Sequence, residues 1–373
     1  MDSCDALIVG GGPAGSTCAW KLREAGLDVL VVDKAAFPRD KVCAGWMTPQ
    51  TVTDLRLDLD EYGSGRTLQP ITGFRVAVIG GTTVVETSYA RTVSYGIRRS
   101  EFDQYLLARS RARTWLGTPI SSLRRSGGDW IVNESVRSPV LVGAGGHFCP
   151  VARRLNGSID DAPLVAAQEA ECLAASIDGA SSPIERGVPE LYFCPDMKGY
   201  GWCIRKGAYL NIGLGRLDRH ALPAAVNEFV AFLKARQRVP PRASWRWRGH
   251  AYAVLDSAPR RLMDGNAILV GDAAGLASPR SGEGIRPAIE SGLLAAATII
   301  DANGHYTGGR LDGYVDRIRA RFGSGRVERA LRRFLPAALE RAMIAGLLQR
   351  PAFVRHVVLD RWFLHVGEPA LAV

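Results

Sequence analysis

The sequence predicts an α/β fold with two domains: a Rossmann-type dinucleotide-binding domain, an antiparallel β-sheet domain inserted into it, and helices at the C-terminal end. A strand, a glycine-rich turn and a helix open the chain, and residues 267–285 repeat the pattern of a strand followed by glycines. Between them, residues 164–255 are rich in short β-type runs. A chain of 373 residues with 47% hydrophobic residues is long enough for two such cores.

The N-terminal unit has the pattern of a nucleotide-binding β-α-β fold. The strand of residues 5–9 ends at Gly10, a helix follows, and a second strand ends at Asp33. Gly10 allows the tight turn, Gly12 lets a pyrophosphate approach the backbone, and Gly15 lets the helix pack closely on the strand. The helix N-terminus offers free N–H groups to phosphates, and Asp33 is placed to accept ribose hydroxyls. This stretch therefore predicts a dinucleotide site.

Further elements follow from local patterns. Two β-rich runs flank Gly80-Gly81 and predict a hairpin, and helices are predicted over 101–114 and near 222–237. The predicted dinucleotide-binding domain covers 1–70, 96–163 and 256–305, the β-rich domain covers 71–95 and 164–255, and a helical region covers 306–373.

The composition argues against several classes of protein. No run of about 18 apolar residues is present, so no membrane span is predicted, and the apolar start lacks the basic flank of a signal peptide. The seven cysteines form no CxxC pair and no zinc spacing, which predicts reduced thiols in a cytoplasmic protein without a bound metal. The net charge of +10 comes mostly from arginines scattered among acidic residues, which does not favour nucleic acid as a partner.

Three glycine-rich segments follow predicted strands: GGGPAG at 10–15, VGAGGHFCPVAR at 142–153 and LVGDAAGLASPRSGEGI at 269–285. With these motifs in this order, the sequence resembles the flavin monooxygenase superfamily of two-domain FAD enzymes, and within it the geranylgeranyl reductase family. The resemblance covers nearly all of residues 1–300. It implies that the dinucleotide is FAD and that the β-rich domain binds the substrate.

The resemblance also implies roles for individual residues. Arg99 in RRSEFD matches the family's arginine close to the bound FAD, and Asp272 in GDAAG matches the aspartate that hydrogen-bonds the ribityl chain. The helix from Ile285 would present its N-terminus to the flavin ring, where negative charge forms on reduction. The residues expected to contact the cofactor are Gly10, Gly12, Pro13, Ala14, Gly15, Asp33, Lys34, Lys41, Cys43, Ala44, Gly45, Arg99, Gly145, Gly271, Asp272, Pro279, Gly282, Gly284 and Ile285.

The middle segment departs from the superfamily pattern. Gly145-Gly146 stands where many relatives have Asp-Gly, whose aspartate helps to bind both FAD and NAD(P)H. The electron donor is therefore left open between NADPH and a reduced carrier protein. His147 is interpreted as a structural hydrogen-bonding residue.

Two stretches bear on the reaction. YGWCIR at 200–205 is similar to the Tyr-x-Trp-x-Phe-Pro element of geranylgeranyl reductases, whose aromatic residues would line the cavity above the flavin. KVCAGW at 41–46 matches the Lys-x-Cys-x-Gly stretch of archaeal members, whose cysteine lies by the flavin and substrate. Catalytic roles are thus assigned to Cys43, Tyr200 and Trp202. The alternatives are that the two aromatic residues belong to the β-sheet core and that the cysteine has a structural role.

The leading hypothesis is an FAD-dependent reductase that saturates double bonds of a prenyl-type hydrophobic or lipid substrate. The alternative is a flavin monooxygenase, or a halogenase, acting on an aromatic or polyketide intermediate. A binding protein like the Rab GDP-dissociation inhibitors is disfavoured by the intact FAD motifs. Basic amphipathic stretches near the C-terminal end leave peripheral contact with an anionic membrane open. The oligomeric state is not predicted, and a monomer is compatible with the sequence.

Overall fold

The computed structural model describes residues 1–157, 164–178, 183–255, 260–323, 343–369 and 371. The strands in these ranges are β1 (Asp2–Ser3), β2 (Ala6–Val9), β3 (Val29–Asp33), β4 (Trp46–Met47), β5 (Leu68–Ile71), β6 (Gly73–Val78), β7 (Val84–Ser88), β8 (Ser94–Ile97), β9 (Arg113–Leu116), β10 (Leu123–Ser126), β11 (Asp129–Val132), β12 (Val136–Ser138), β13 (Val140–Gly143), β14 (Leu164–Leu173), β15 (Glu190–Phe193), β16 (Gly199–Lys206), β17 (Tyr209–Arg216), β18 (Arg248–Ala253), β19 (Met263–Asp264) and β20 (Ala267–Leu269).

The helices connect these strands and close the C-terminal end. They are α1 (Pro13–Glu24), α2 (Pro49–Asp54), α3 (Leu59–Gly63), α4 (Arg99–Ser110), α5 (Pro150–Asn156), α6 (Ala175–Asp178), α7 (Leu222–Ala235), α8 (Ile285–Asp301) and α9 (Gly313–Phe322). A 3₁₀ turn spans Gly271–Ala273, and the short helix Pro351–Phe353 continues as a π-helix over Val354–Phe363.

A six-stranded sheet forms the core of the dinucleotide-binding part. Its order is β19-β20-β13-β2-β3-β9, and all neighbours run parallel except β19 and β20. The strands β2, β3 and β13 are nearly unbroken runs of Val, Leu, Ile and Ala, as expected for parallel strands covered on both faces. Helix α1 contacts α4 and α8 beside this sheet. The β-α-β unit predicted at the N-terminus is confirmed.

A seven-stranded sheet follows the order β18-β14-β17-β16-β15-β6-β7. The hairpin predicted around Gly80-Gly81 is confirmed, since β6 and β7 pair antiparallel. One neighbouring pair, β6 and β15, is parallel, because the long connection between them lets the chain return in the same direction. The other pairs are antiparallel.

The two faces of this sheet have different partners. Alternation along β16 sends Cys203 to the face covered by α7, where it joins a core with Ile212 and Phe229. Trp202 and Ile204 point to the opposite face, where they pack in another cluster that includes the π-helix. One face therefore belongs to the domain core, and the other is available for a site.

The helix predicted over 101–114 is shorter in the structure. Helix α4 ends at Ser110 because Arg111 takes a left-handed conformation with φ of 53°. The following residues form the edge strand β9, so the prediction of helix at positions 113 and 114 is wrong. The domain boundaries predicted after residues 70 and 95 fall inside β5 and β8, which pair with each other in a three-stranded sheet with β4.

The C-terminal elements pack on both parts of the molecule. Helix α9 contacts α8, and Val358 and Phe363 of the π-helix join a core with Phe74 of the seven-stranded sheet. The predicted helical residues 324–342 lie outside the described ranges. Within those ranges, no helix combines the length and the apolar character needed to cross a membrane.

His365 ties the C-terminal segment to the glycine-rich loop before α8. Its Nε2 lies 2.8 Å from Oε2 of Glu283, and its Nδ1 lies 3.2 Å from Oε1 of Glu368. Nη1 of Arg286 lies 2.5 Å from Oε2 of Glu368. Burial alone lowers the pKa of His365, but the two carboxylates raise it to about 9. The contact is therefore charged at neutral pH.

We expect Tm to fall less steeply between about pH 6.5 and 9 in His365→Gln than in the wild-type protein. The imidazolium stabilises the folded protein fully below its ordinary pKa of 6.5, and this contribution disappears as pH rises through about 9. The imidazolium adds about 3 kcal/mol at most to the free energy of unfolding. Tm measured by circular dichroism across this range tests the expectation. His356→Gln, at an exposed neighbouring position, is the control; equal pH slopes in H365Q and the wild-type protein would contradict the ion pairs.

Candidate active site

A cavity of about 660 Å³ opens where three parallel strands of the six-stranded sheet end. Val9 and Gly10 lie at the end of β2, Ala144 and Gly145 follow β13, and Asp272 follows β20. Because β20, β13 and β2 are neighbours, the three glycine-rich segments meet at one edge. This edge is the usual ligand site of doubly wound sheets.

The end of the cavity at α1 can receive phosphates. A Cβ added to Gly12 would meet, among the described residues, only the Arg39 guanidinium, at 3.3 Å, so the space beyond this glycine is open to a ligand. Gly15 serves close packing instead, since its Cβ would lie 1.9 Å from the Gly10 carbonyl oxygen. Helix α1 begins in the cavity wall at Pro13, so the positive end of its dipole faces the cavity. No acidic residue in its first turn neutralises this charge.

Asp33 ends β3 and lines the same part of the cavity. Its Oδ2 accepts a hydrogen bond from the Gly11 N–H at 2.8 Å, and its Oδ1 accepts one from the Ala35 N–H at 2.9 Å. These bonds fix the orientation of the carboxylate and leave further lone pairs for the hydroxyls of a ligand. The geometry suits a ribose-binding acid.

Asp272 belongs to a cluster with Lys41 and His250. Its Oδ2 lies 4.0 Å from Lys41 Nζ and 3.7 Å from His250 Nε2, and Lys41 also contacts the His250 ring. Burial alone raises the pKa of Asp272, but His250 and Lys41 lower it to about 2. Burial lowers the pKa of His250, which favours a neutral ring. At neutral pH the cluster presents a carboxylate that can accept hydrogen bonds from a polyhydroxyl chain.

The loop before β4 brings Cys43 into the cavity wall. The Cys43 N–H donates to Glu169 Oε2 at 2.7 Å, and the Cys43 carbonyl accepts from Asn211 Nδ2 at 3.4 Å. Its Sγ lies 3.4 Å from the Gly45 N–H. Gly45 has φ of 68°, and a Cβ there would lie 2.1 Å from the Ile97 carbonyl oxygen, so a larger residue does not fit. These contacts give Cys43 a defined, half-buried position.

Lys206 holds this loop from the seven-stranded sheet. Its side chain is fully buried, and its Nζ donates to the carbonyl oxygens of Ala44 at 3.1 Å and Ile97 at 2.9 Å. The same atom lies 2.6 Å from Glu171 Oε2. A buried ammonium needs such partners because an uncompensated charge is strongly destabilising. The position of the Cys43 loop therefore depends on β16 and β14.

Arg99 is buried at the start of α4 and lines the cavity beside Cys43. Its guanidinium forms a bidentate pair with Asp103, with both bonds at 2.8 Å, and also contacts the Cys43 side chain. Arg39 adds a second guanidinium 3.2 Å from Asp103. Because two cations share one carboxylate, net positive charge remains beside the cavity.

The part of the cavity next to the seven-stranded sheet is aromatic. The rings of Tyr200 and Trp202 lie 6.1 Å apart on one face of β16, and Trp202 Nε1 donates to Asn211 at 2.7 Å. Phe363 packs against Tyr200 at 5.3 Å and stacks on Trp46 at 5.4 Å. Tyr200 and Trp202 therefore line the cavity and also belong to the packing of the sheet. This region suits a hydrophobic ligand.

Most residues predicted at the site line this cavity. They are Gly10, Gly12, Pro13, Ala14, Asp33, Lys34, Lys41, Cys43, Ala44, Arg99, Gly145, Tyr200, Trp202, Asp272, Gly282, Gly284 and Ile285. Gly15, Gly45 and Gly271 lie outside the wall and permit close packing next to it. Pro279 is exposed and does not line the cavity.

Other wall residues were missed by the sequence reasoning. Arg39 could have been found from its place in the loop that carries the predicted cysteine. His250, Tyr252 and Phe363 come from β18 and the C-terminal segment, where no motif marks them. His147, interpreted as structural, lines the cavity, and its Nδ1 has no hydrogen-bond partner among the described residues.

These features fit FAD. The cavity volume is in the range of large-ligand sites. The cavity runs from the N-terminus of α1 past Asp272 to the N-terminus of α8. Helix α8, like α1, has no acidic residue in its first turn. Gly12 and Gly284 leave room for a ligand close to the backbone, and Nδ1 of His147 offers it a polar contact. The fold and site together define an FAD-dependent oxidoreductase.

Comparisons with known proteins agree with this class. Residues 8–60 match the family model of the NAD(P)-binding Rossmann-like domain. The chain is 31% identical over 321 residues to menaquinone reductase of Mycobacterium tuberculosis, which covers 79% of this chain and 76% of the relative. It is 30% identical over 314 residues to geranylgeranyl diphosphate reductase of Rhodobacter capsulatus, with 78% and 74% covered. The structure of a geranylgeranyl bacteriochlorophyll reductase-like protein from Thermoplasma acidophilum superposes with a TM-score of 0.78 at 20% identity, over 97% of each chain.

This chain belongs to the geranylgeranyl reductase family of FAD-dependent oxidoreductases. The fold class, the FAD cofactor and the oxidoreductase class expected from the sequence are thereby confirmed. The individual site residues remain predictions, supported by their placement in one cavity.

We expect Gly12→Ala to leave the fold intact and to weaken FAD binding by about tenfold or more. The added methyl group would enter the space through which a pyrophosphate approaches α1. In the protein alone this group would meet, among the described residues, only the flexible end of Arg39, so the fold accommodates it. Titration of the apoprotein with FAD, followed by flavin fluorescence, gives the affinity. Gly65→Ala, in an exposed loop with no described atom within 4 Å, is the matched control. An unchanged affinity in G12A would place the phosphates elsewhere.

Proposed function

We propose that this enzyme saturates carbon–carbon double bonds in the prenyl chain of a hydrophobic isoprenoid, such as a quinone or a lipid. The observation that carries the proposal is the aromatic region of the cavity, where Tyr200, Trp202 and Phe363 adjoin Cys43. An apolar chain can pack there without desolvating charged groups. The names of the mycobacterial and Rhodobacter relatives, a menaquinone reductase and a geranylgeranyl diphosphate reductase, support a prenyl substrate.

Saturating an alkene requires a hydride and a proton. Reduced FAD supplies the hydride when bound. Cys43 is the proposed proton donor, because its backbone is fixed by Glu169 and Asn211 and its half-buried thiol lies in the wall beside the aromatic residues. A thiol is weakly acidic and tolerates an apolar pocket. The guanidinium of Arg99 lies in the same wall beside the sulfur from which the proton leaves.

Tyr200 is less suited to donate this proton. Its hydroxyl already donates to the carbonyl oxygen of Ser281, and burial raises its pKa well above the ordinary value. Its hydrogen bond instead fixes the distance between β16 and the loop that carries Gly282. We therefore assign Tyr200 and Trp202 to shaping the substrate cavity.

The electron donor is proposed to be NADPH or a reduced carrier protein. The wall at Gly145 and Gly146 offers no carboxylate, which is the group that many relatives use at this position. Anaerobic mixing with NADPH, and separately with a reduced ferredoxin, decides between them. Bleaching of the flavin absorbance within the turnover time identifies the donor that feeds the enzyme.

The proposed partner is a hydrophobic or lipid substrate, met at the surface of a membrane from the cytoplasm. The net charge of +10 favours contact with anionic lipid, and sedimentation with anionic and with neutral vesicles tests this contact. No nucleic-acid partner is proposed. A monomer is proposed as the active species, and size-exclusion chromatography with light scattering tests this state.

We expect Cys43→Ala to slow single-turnover reduction of a prenyl quinone or geranylgeranyl lipid by about 100-fold or more, since the proton donor is lost. The prereduced, oxygen-free enzyme is mixed with substrate, and mass spectrometry follows the gain of hydrogen pairs. Cys172→Ala, at the other half-buried cysteine, is the control and is expected to keep the wild-type rate.

Two results would count against the proposal. Wild-type enzyme that adds oxygen to its substrate once air is admitted, and no hydrogen before, would be a monooxygenase. A C43A variant that reduces the substrate at the wild-type rate would make the thiol structural and would assign the proton to another group.

A further inference from the structure

A polar chamber of about 100 Å³ adjoins the cavity behind the Cys43 loop. Asp40, Lys41, Cys43 and Arg99 line both spaces, so the two meet at the Cys43 loop. The remaining chamber walls are polar or charged: Arg98, Ser100, Glu169, Glu171, Arg246 and Arg248. The last two arginines are exposed, which places the outer end of the chamber at the surface. The chamber therefore extends from the surface to the Cys43 loop.

The two glutamates of the chamber have different environments. Glu171 lies 2.6 Å from Lys206 Nζ and 2.9 Å from Arg98 Nε. Although burial raises the pKa of Glu171, these cations lower it, so this residue stays ionised. The carboxylate of Glu169 makes hydrogen bonds to the Cys43 N–H and to Asn211, and in the described part of the chain no Lys or Arg lies within ion-pair distance of it. Of the two glutamates, Glu169 is therefore the one that can exchange a proton.

We propose that Glu169 returns a proton to Cys43 after each double bond is reduced. This inference rests on the proposed function. In one cycle, one alkene carbon gains the hydride and the other gains the proton of the Cys43 thiol, whose bonding electrons stay on sulfur as a thiolate. The Glu169 carboxylic acid then gives its proton to the thiolate through water in the chamber and becomes a carboxylate. A proton from solvent restores the acid.

The chamber has the properties that this exchange needs. Its volume holds several water molecules, and its polar walls supply their hydrogen-bond partners. Burial raises the pKa of Glu169 to about 7, so a large fraction of the protein holds a proton there at neutral pH and can supply it to the thiolate. As pH rises through 7, Glu169 loses this proton and the supply to Cys43 stops. The charged or titratable groups that line the chamber with Glu169 or act on its charge are Asp40, Lys41 and Cys43 of the loop, Arg98 and Arg99 at α4, Glu171 of β14, Lys206 of β16, and Arg246 and Arg248 at β18.

Glu169→Gln separates proton exchange from positioning. The glutamine has the same shape, and its Oε1 can still accept the Cys43 N–H, but it has no proton to exchange. With prereduced enzyme that starts as the thiol, we expect the first turnover of E169Q to stay within about twofold of the wild-type rate. Steady-state turnover at pH 7 is expected to fall about 10- to 100-fold, and the loss of rate that the wild-type enzyme shows above pH 7 is expected to vanish.

Alkylation of Cys43 tests the coupling without substrate or turnover. FAD-loaded protein is treated with iodoacetamide from pH 5 to 9, and the rate at Cys43 is measured by peptide mass spectrometry. In the wild-type protein, ionisation of Glu169 changes the charge beside the Cys43 loop and is expected to produce an inflection near pH 7 in the alkylation rate. We expect E169Q to lack this inflection. Glu228→Gln, at an exposed position of α7, is the control: it is expected to keep the wild-type inflection.

The outcomes separate this inference from the proposed function. If the wild-type enzyme reduces no prenyl substrate, the proposed function fails, and the alkylation profiles alone decide whether Glu169 and Cys43 are coupled. If the wild-type enzyme reduces its substrate and E169Q shows the same steady-state rate and the same inflection, the proton return by Glu169 is overturned. Equal slowing of the first and later turnovers in E169Q would likewise overturn it, because that pattern reports a displaced loop.

Discussion

The parallel pairing of β20, β13 and β2 is the constraint on which the site depends. Val142 lies opposite Ile8 on one side and Ile268 on the other, so the three strands run in step and end at one edge of the sheet. Each strand is buried. A shift in register by one residue would turn its packed side chains to the opposite face of the sheet, so the register is fixed. The glycine-rich segments that follow these strands are thereby brought into one cavity, although they are more than a hundred residues apart.

The second constraint is a buried charge between the seven-stranded sheet and the Cys43 loop. Lys206 contacts Glu171 of β14, two strands away in the same sheet, and the carbonyl oxygens of Ala44 and Ile97. A buried ion pair adds little stability compared with apolar packing, but each partner is costly to leave alone. Its effect here is geometric: it sets the distance between the seven-stranded sheet and the Cys43 loop. The thiol is thereby placed between the aromatic region and the polar chamber.

The C-terminal segment completes the wall from the other side. Phe363 contributes an aromatic face between Tyr200 and Trp46, and two residues later His365 is held by charge to Glu283 in the loop before α8. One short segment thus supplies apolar surface to the cavity and restrains the glycine-rich loop beside it. The substrate region is consequently shared by the inserted sheet, the Cys43 loop and the chain end.

The sequence by itself determined the turns, strands and strand-end residues that depend on local signals. Glycines at sharp turns, apolar runs of strand length and an acid at a strand end predict the sites of Gly12, Asp33 and Asp272 because each signal lies within about thirty residues. Only the tertiary structure decided that Glu169, Lys206 and Phe363 contact the segment from Cys43 to Trp46. A Glu or Lys in a strand reads as a surface residue, since alternation distinguishes two faces but not which neighbour covers each face. The same limit explains the helix expected through residue 114: the pairing of β9 with β3 overrides its local helical pattern.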